Sequence, residues 1–338
     1  MSELRINNIT DRTGGNGPVI AGVSTVTGTG AFTVPAGPTE MRGGRGRGVL
    51  LNISNPALST VNNYITIATT GNAQDFGDMS VARYSKAGFA SATRGFDAGG
   101  STPTYKTNIE YVTISSQGGG NDFGDLTQAR SYPAGASNAT RGIVAGGSIP
   151  GPAQVTTIDF ITMASTGDAS DFGELSLART YMSGAGCQST TRGIFAGGHP
   201  MNTNLIDFVL FSTRGTAKEF GDLTQARSGI SAGSNATRGI FAGGSIPDPN
   251  SAVTTIDYIT MATESNAIDF GDATHTAFRW MGAGMYSATR GVHGGGYPAT
   301  NRIQHITIAT EGNALDFGDL TGSVSNSGNS SDSHGGLG

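Results

Sequence analysis

The chain has 338 residues, with 54 glycines, charged residues at only 13 % and a formal net charge of -5. Glycine is more than twice its ordinary share of about 7 %, and charge is half its usual level of about 25 %. With apolar residues in regular patterns, this composition means an ordered chain with many tight turns, not a disordered one. An acidic chain gives no electrostatic basis for nucleic-acid binding, and Cys187, the single cysteine, excludes an internal disulfide and a cysteine-based zinc cluster.

Residues 1–42 stand outside any repeat. Met1 to Asn8 lack the apolar core of a signal peptide, and no stretch approaches the roughly 18 apolar residues of a membrane span. Val19 to Thr27, a Gly-Thr-Gly turn and Ala31 to Val34 predict a β-hairpin. So short a leader buries little core alone, so it is expected to dock on the rest of the chain or on a neighbouring subunit. Arg42, Arg45 and Arg47, set among glycines, read as a solvated linker.

From residue 43 the chain repeats. Phe-Gly-Asp/Glu begins at Phe76, Phe123, Phe172, Phe220, Phe270 and Phe317, and Arg-Gly at Arg47, Arg94, Arg141, Arg192, Arg238 and Arg290. Two independent markers in one phase give six copies of a unit about 47–52 residues long, a period typical of propellers. Within a unit come Ala-Arg, a run of small residues such as Ser231 to Ser234, then Arg238 to Gly244, a variable loop, Ile256 to Ala262, and Asp269 to Asp272. Apolar and β-branched residues near strand alternation, bounded by Gly, Asn, Asp and Pro, predict four short strands per unit. The fold expected is all-β: a six-bladed β-propeller of four-stranded blades spanning 43–338.

Small residues suit inner strands converging on the axis, and bulky ones suit the wider space between blades. Asn138-Ala-Thr and Asn235-Ala-Thr read as turns ahead of Arg-Gly. The repeated charges predict ion pairs or Arg-to-carbonyl bonds between blades. Arg94, Arg141, Arg192, Arg238 and Arg290 are therefore expected to be largely buried, with the acid after Phe-Gly as a candidate partner. The first copy lacks Gly-Gly, and the last gives way after Asp319 to a Ser-rich stretch. Residues 322–338 are expected to supply the missing inner strand beside Val49 to Ile53 and so close the ring.

The order of Arg, inner strand, apolar strand ending in Gly-Gly and aromatic-bearing strand resembles the kelch repeat. The pairs Gly99-Gly100, Gly146-Gly147, Gly197-Gly198, Gly243-Gly244 and Gly295-Gly296 carry that resemblance. The usual kelch Trp is missing, and the Phe of Phe-Gly-Asp looks like its replacement. The text from Ile256 to Thr263 and from Thr237 to Gly244, with the leader text at 7–15 and 23–32, is similar to virion structural and tail-fibre proteins of tailed phages of the marine cyanobacterial type. That resemblance implies a virion exterior protein, assembled in the host cytoplasm and oligomeric within the particle. Its implied partners are other virion proteins and a host-surface glycan or protein, without nucleic acid or membrane insertion. A cellular kelch-type glycan- or protein-binding module is the alternative.

Catalytic, cofactor and metal sites are all expected to be absent. Asp-Phe-Gly matches a kinase motif, but its recurrence without partner motifs reads as a structural turn. His199, His275, His293, His305 and His334 have no metal-ligand spacing and read as surface or satisfied side chains. Cys187 reads as a small buried residue in place of Ala. The variable loops at 101–107, 148–154, 199–204, 245–252 and 297–301, with the insertion at His275 to Trp280, fall on one propeller face. Trp280, Arg279, Tyr297 and His199 are its candidate contact residues.

Overall fold

The computed structural model describes residues 46–51, 58–151, 153–182, 187–247, 251–276, 283–324 and 328–337. The expected leader at 1–42 lies outside them. The strands form six four-stranded antiparallel sheets arranged as a β-propeller. From axis to rim, blade 2 uses Ala87–Ala90, Arg94–Ala98, Asn108–Thr113 and Asn121–Asp125, and blade 3 uses Ala134–Ser137, Arg141–Ala145, Thr157–Thr162 and Ser170–Glu174. Blade 4 uses Cys187–Gln188, Arg192–Ala196, Leu205–Leu210 and Lys218–Asp222, and blade 5 uses Ser231–Ser234, Arg238–Ala242, Thr255–Thr260 and Ile268–Asp272. Blade 6 uses Ala283–Tyr286, Arg290–Gly294, Thr300–Thr307 and Leu315–Val324.

Blade 1 joins the two ends of the described chain. Its inner strand, Gly328–Ser331, precedes Arg47–Leu51, Val61–Thr66 and Gln74–Asp78 in the sheet. Gly48 pairs with Ser331, Val49 with Ser330, Leu50 with Asn329 and Leu51 with Gly328. Pairing the first strand with the last leaves no open blade edge inside the ring.

The inner strands need small residues because they touch one another at the axis. A Cβ on Gly135 would lie 2.5 Å from the Gly88 carbonyl oxygen. The channel they enclose retains only about 20 Å³, room for one water. Its end is stopped by a 3-10 turn, Gly335–Leu337. A Cβ on Gly335 would lie 2.6 Å from the Gln188 carbonyl oxygen. Bulk fills the gaps between blades instead: Phe160 and Phe172 of blade 3 pack in one buried cluster with Phe195 of blade 4 and Phe211 beside its third strand. Burying each such side chain is worth about 1.5–3 kcal/mol.

Phe-Gly-Asp is a clasp between neighbouring blades. The register between third and outer strands slips at every copy, as at Ile158/Asp159 and Ile256/Asp257. The Phe is the extra residue of this bulge and turns into the core, Phe172 at 1 % and Phe270 at 2 % exposure. The following glycine takes a positive φ, 148° at Gly124, and a Cβ there would meet the Gly167 carbonyl oxygen of the next blade at 2.5 Å. The acid's backbone N–H is then capped from that next blade: Asp125 N donates to Asp168 Oδ1 at 3.0 Å, and Asp272 N to Asn313 Oδ1 at 2.9 Å.

The Arg-Gly arginines form a second belt. Nη1 of Arg94 donates to the Met163 carbonyl at 2.9 Å, Arg192 to Met261 at 3.1 Å, Arg238 to Ile308 at 2.9 Å and Arg290 to Ile67 at 3.0 Å. Arg141 bonds the Phe211 carbonyl in the same way. Every acceptor follows the third strand of the next blade. Arg47 is the sixth member, donating to Ile114 at 2.8 Å, and so is not a free linker residue. As expected, these arginines keep only a minority of their surface in solvent, 19 % for the Arg192 side chain, and bond carbonyls, with Arg192 also reaching the Glu264 carboxylate at 3.1 Å. Each of Arg47, Arg94, Arg141, Arg192 and Arg238 lies over a third-strand ring of its own blade, Arg94 at 4.5 Å from the Tyr111 centroid. A guanidinium between that ring and a carbonyl at the blade junction keeps one edge in water.

The fully buried arginines are those of Ala-Arg. Arg83 pairs with Glu110 at 2.8 Å, Arg130 with Asp159 at 2.7 Å, Arg179 with Asp207 at 2.6 Å and Arg227 with Asp257 at 2.6 Å. The acid comes from the third strand and not from Phe-Gly-Asp, whose carboxylate instead accepts from a threonine, as in Thr107 Oγ1 to Asp125 Oδ1 at 2.6 Å. Where the arginine is missing the acid is missing too. Three residues after Thr321 stands Val324, and in blade 1 the acid is replaced by Asn63.

Candidate functional site

The propeller has two unlike faces. On one, Asn138 and Asn235 close tight turns: Asn138 Oδ1 accepts from the N–H groups of Thr140 and Arg141. The other carries the variable loops and the connections between blades, tied together by bridges such as Ser131 to Ser148, Thr180 to His199 and Ser228 to Ser245. The two kinds of variation therefore share one face.

Among the described residues, charge is nearly absent from this loop face. In the described variable loops the only Lys, Arg, Asp or Glu is Lys106. In the described connections, Arg83, Lys86, Arg130, Arg179 and Arg227 are all buried. The carboxylates that make the chain acidic sit on the outer strands, where Asp75, Asp122, Asp171, Glu219, Asp269 and Asp316 are exposed.

The loop face presents tyrosines instead. Two residues after each Ala-Arg arginine the backbone turns left-handed: Ser85 (φ 58°), Tyr132 (φ 58°), Tyr181 (φ 54°) and Gly229 (φ 66°). Glycine takes this conformation freely, whereas a bulky residue there is strained by about 1–3 kcal/mol. Backbone bonds hold the turns in place, Tyr132 N to Ser85 O and Gly229 N to Tyr181 O, both at 2.7 Å. The rings of Tyr132 and Tyr181 stack with centroids 3.9 Å apart and planes at 30°. Burial and a hydrogen bond to Tyr132 push the Tyr181 phenol well above its ordinary range, with Tyr105 and Tyr84 adding to the shift.

Beside Tyr181 a cleft of about 720 Å³ opens between blades 4 and 5, lined by His199, Pro200, Met201, Asn202, Ser228 and Pro247. Paired backbone bonds with Thr180 fix His199, whose ring stands edge-on to Tyr181 at 6.2 Å and 77°. Asn202 Nδ2 ties this loop to blade 5 through the Ser245 carbonyl at 3.2 Å. Met201 is 82 % exposed at the rim.

Of the four candidate contact residues, His199 lies in this cleft. Tyr297, 41 % exposed, occupies the matching position of blade 6 on the same face. Arg279 and Trp280 fall outside the described residues. Sequence reasoning missed Tyr132 and Tyr181. The signal was present: both stand where the next copy has Gly229, a position that calls for glycine.

A second polar constellation is sealed inside. Ser231 Oγ lies 2.8 Å from His293 Nδ1, and Tyr286 Oη lies 2.8 Å from His293 Nε2. Burial lowers the His293 pKa to about 3, so the ring is a neutral bridge between two hydroxyls. With all three residues at 1 % exposure or less, no substrate reaches this Ser–His pair. Cys187 is equally enclosed, its Sγ 3.6 Å from Met261 Sδ, and burial pushes its thiol far above the ordinary range. No group of three metal-ligating side chains forms among the described residues.

The fold defines a closed six-bladed β-propeller whose loop face, among the described residues, is tyrosine-rich and nearly uncharged. No family model matches the chain, and no curated protein matches its sequence.

Proposed function

We propose that the chain is a non-catalytic binding propeller on the exterior of a phage virion, part of a tail fibre or similar appendage, which contacts the host surface through its loop face. The observation carrying the contact role is the pair Tyr132 and Tyr181, held at left-handed φ where glycine would be free of strain. Such outliers collect at functional sites, and a Tyr-, Ser-, Gly- and Asn-rich surface of loops on a rigid scaffold is the composition of adaptable binding faces. The virion setting rests on the resemblance of the repeat and leader text to tailed-phage structural proteins and tail fibres. The kelch-like order of the unit agrees with a binding role and adds no catalytic one.

The test has two arms. Mass spectrometry of purified particles is expected to find this chain in stoichiometric amounts. Particles carrying Tyr132→Gly and Tyr181→Gly together are expected to assemble and to adsorb more slowly to host cells. Absence from particles overturns the virion setting and turns the reading towards a cellular binding module. Normal adsorption by the double variant overturns the loop face as the contact surface.

A further inference from the structure

We infer that the cleft between blades 4 and 5 is a binding site for an uncharged saccharide, with the Tyr181 ring as its stacking platform. The inference rests on the loop face being the contact surface and goes beyond it in naming the ligand chemistry.

The volume of about 720 Å³ falls within the range of about 300–1,000 Å³ usual for small-ligand sites. Among the described residues its lining contains no carboxylate, Lys or Arg, so phosphates, sulfates and uronates find no cationic partner in it. What it does contain suits a pyranose. Tyr181, Pro200, Met201 and Pro247 give flat or soft apolar surface for the C–H face of a sugar ring, while Asn202, Ser228 and His199 give polar groups for its hydroxyls.

The platform is preorganised. Tyr132 backs the Tyr181 ring at 3.9 Å, and His199 meets it edge-on. A ring already fixed loses little freedom on binding. Because Tyr132 covers one side of Tyr181 and does not itself line the cleft, the site offers a single aromatic platform. A polyproline peptide docks into a groove lined by several aromatic side chains, so one platform ringed by hydroxyl and amide groups favours a sugar.

The test uses the full chain with maltohexaose, cellohexaose and mannohexaose as neutral probes, and with a proline decapeptide and a heparin hexasaccharide as contrasts. Saturation-transfer NMR is expected to show contact to the C–H protons of at least one neutral hexasaccharide. Calorimetry is expected to show that Tyr181→Gly weakens that binding about tenfold or more, equivalent to about 1.4 kcal/mol. Gly229 holds the same backbone turn in blade 5, so the glycine variant keeps its fold. Tyr181→Asn, which also tolerates left-handed backbone, serves as a second platform deletion, and Tyr258→Phe on blade 5 is expected to bind as the parent does. Binding of none of the neutral sugars, binding indifferent to Tyr181, or a preference for the peptide or for heparin overturns the inference. Slower adsorption by the double-glycine particles would still support the loop face if the sugar panel failed, so the two failures are separable.

Discussion

Arg130 Nη2 lies 2.7 Å from Asp159 Oδ2, and solvent reaches neither side chain. Burial draws the Arg130 pKa down, and the facing carboxylate opposes that shift. Arg130 also donates to the Thr157 carbonyl at 2.7 Å, stitching the incoming connection to the third strand of blade 3. Asp159→Ala would leave a buried guanidinium without its counter-charge, and the expected cost is about 3–5 kcal/mol in denaturant unfolding. Blade 1 pairs an amide, Asn63, with the absence of arginine. The double change Arg130→Ala with Asp159→Asn is therefore expected to cost clearly less than the sum of its parts. Additive losses would show that the two side chains are not coupled.

Gly124→Ala tests the Phe-Gly-Asp clasp. At φ 148° an alanine is strained, and its methyl would press on the Gly167 carbonyl of blade 3. The backbone term alone is roughly 1–3 kcal/mol, and the clash adds to it by forcing blades 2 and 3 apart. Gly118→Ala is the matched control, since a Cβ there meets nothing within 4 Å. It is expected to change unfolding free energy by less than about 0.5 kcal/mol. Equal effects from the two substitutions would remove the clasp from the account.

Much of this architecture was legible in the chain because repetition exposes it. Phe-Gly-Asp and Arg-Gly recur in one phase, and a six-fold period with small inner runs leaves few alternatives to a propeller. The partner of the buried arginine was not legible. Asp257 sits inside Ile-Asp-Tyr-Ile on the opposite strand face from Ile256, and alternation does not mark that face as buried too, as it is beside Arg227. The acid after Phe-Gly drew attention because it recurs, yet its carboxylate serves a threonine. The tyrosine platform was hidden for the opposite reason. Tyr132 and Tyr181 break the repeat, and only their alignment with Gly229 reveals the strained turn they occupy.

Closure predicts a large effect from a small deletion. Removing residues 328–338 takes away the inner strand paired with Arg47–Leu51 and the turn that stops the channel. Val49, Leu50 and Leu51 would then face an open edge. The truncated chain is expected to melt at a much lower temperature and to aggregate on heating. An unchanged melting temperature would sink the idea that these residues close the ring.

The last residues also make stability depend on pH. His334 is buried, its Nε2–H donating to the Ala90 carbonyl at 2.8 Å while Nδ1 accepts from the Gly336 N–H at 3.1 Å. A proton added at Nδ1 would oppose the Gly336 N–H, and burial, only partly offset by the bond to Ala90, lowers the pKa from 6.5 to about 4. The unfolded chain therefore takes up a proton between pH 6.5 and 4 that the native chain refuses. The stability contributed by neutral His334 is fully present above pH 6.5 and is lost as pH falls towards 4, with a slope of up to about 1.4 kcal/mol per pH unit. Between pH 7.5 and 5 the loss from this residue is expected to be roughly 2 kcal/mol. His334→Gln can still donate to Ala90 and does not titrate, so its unfolding free energy should fall less steeply over that interval. His293, His275 and His305, all held below the ordinary imidazole range chiefly by burial, add to the slope in the same direction. Equilibrium urea unfolding at half-unit steps from pH 7.5 to 5 measures both slopes, and identical slopes would show that His334 is protonated in the folded chain.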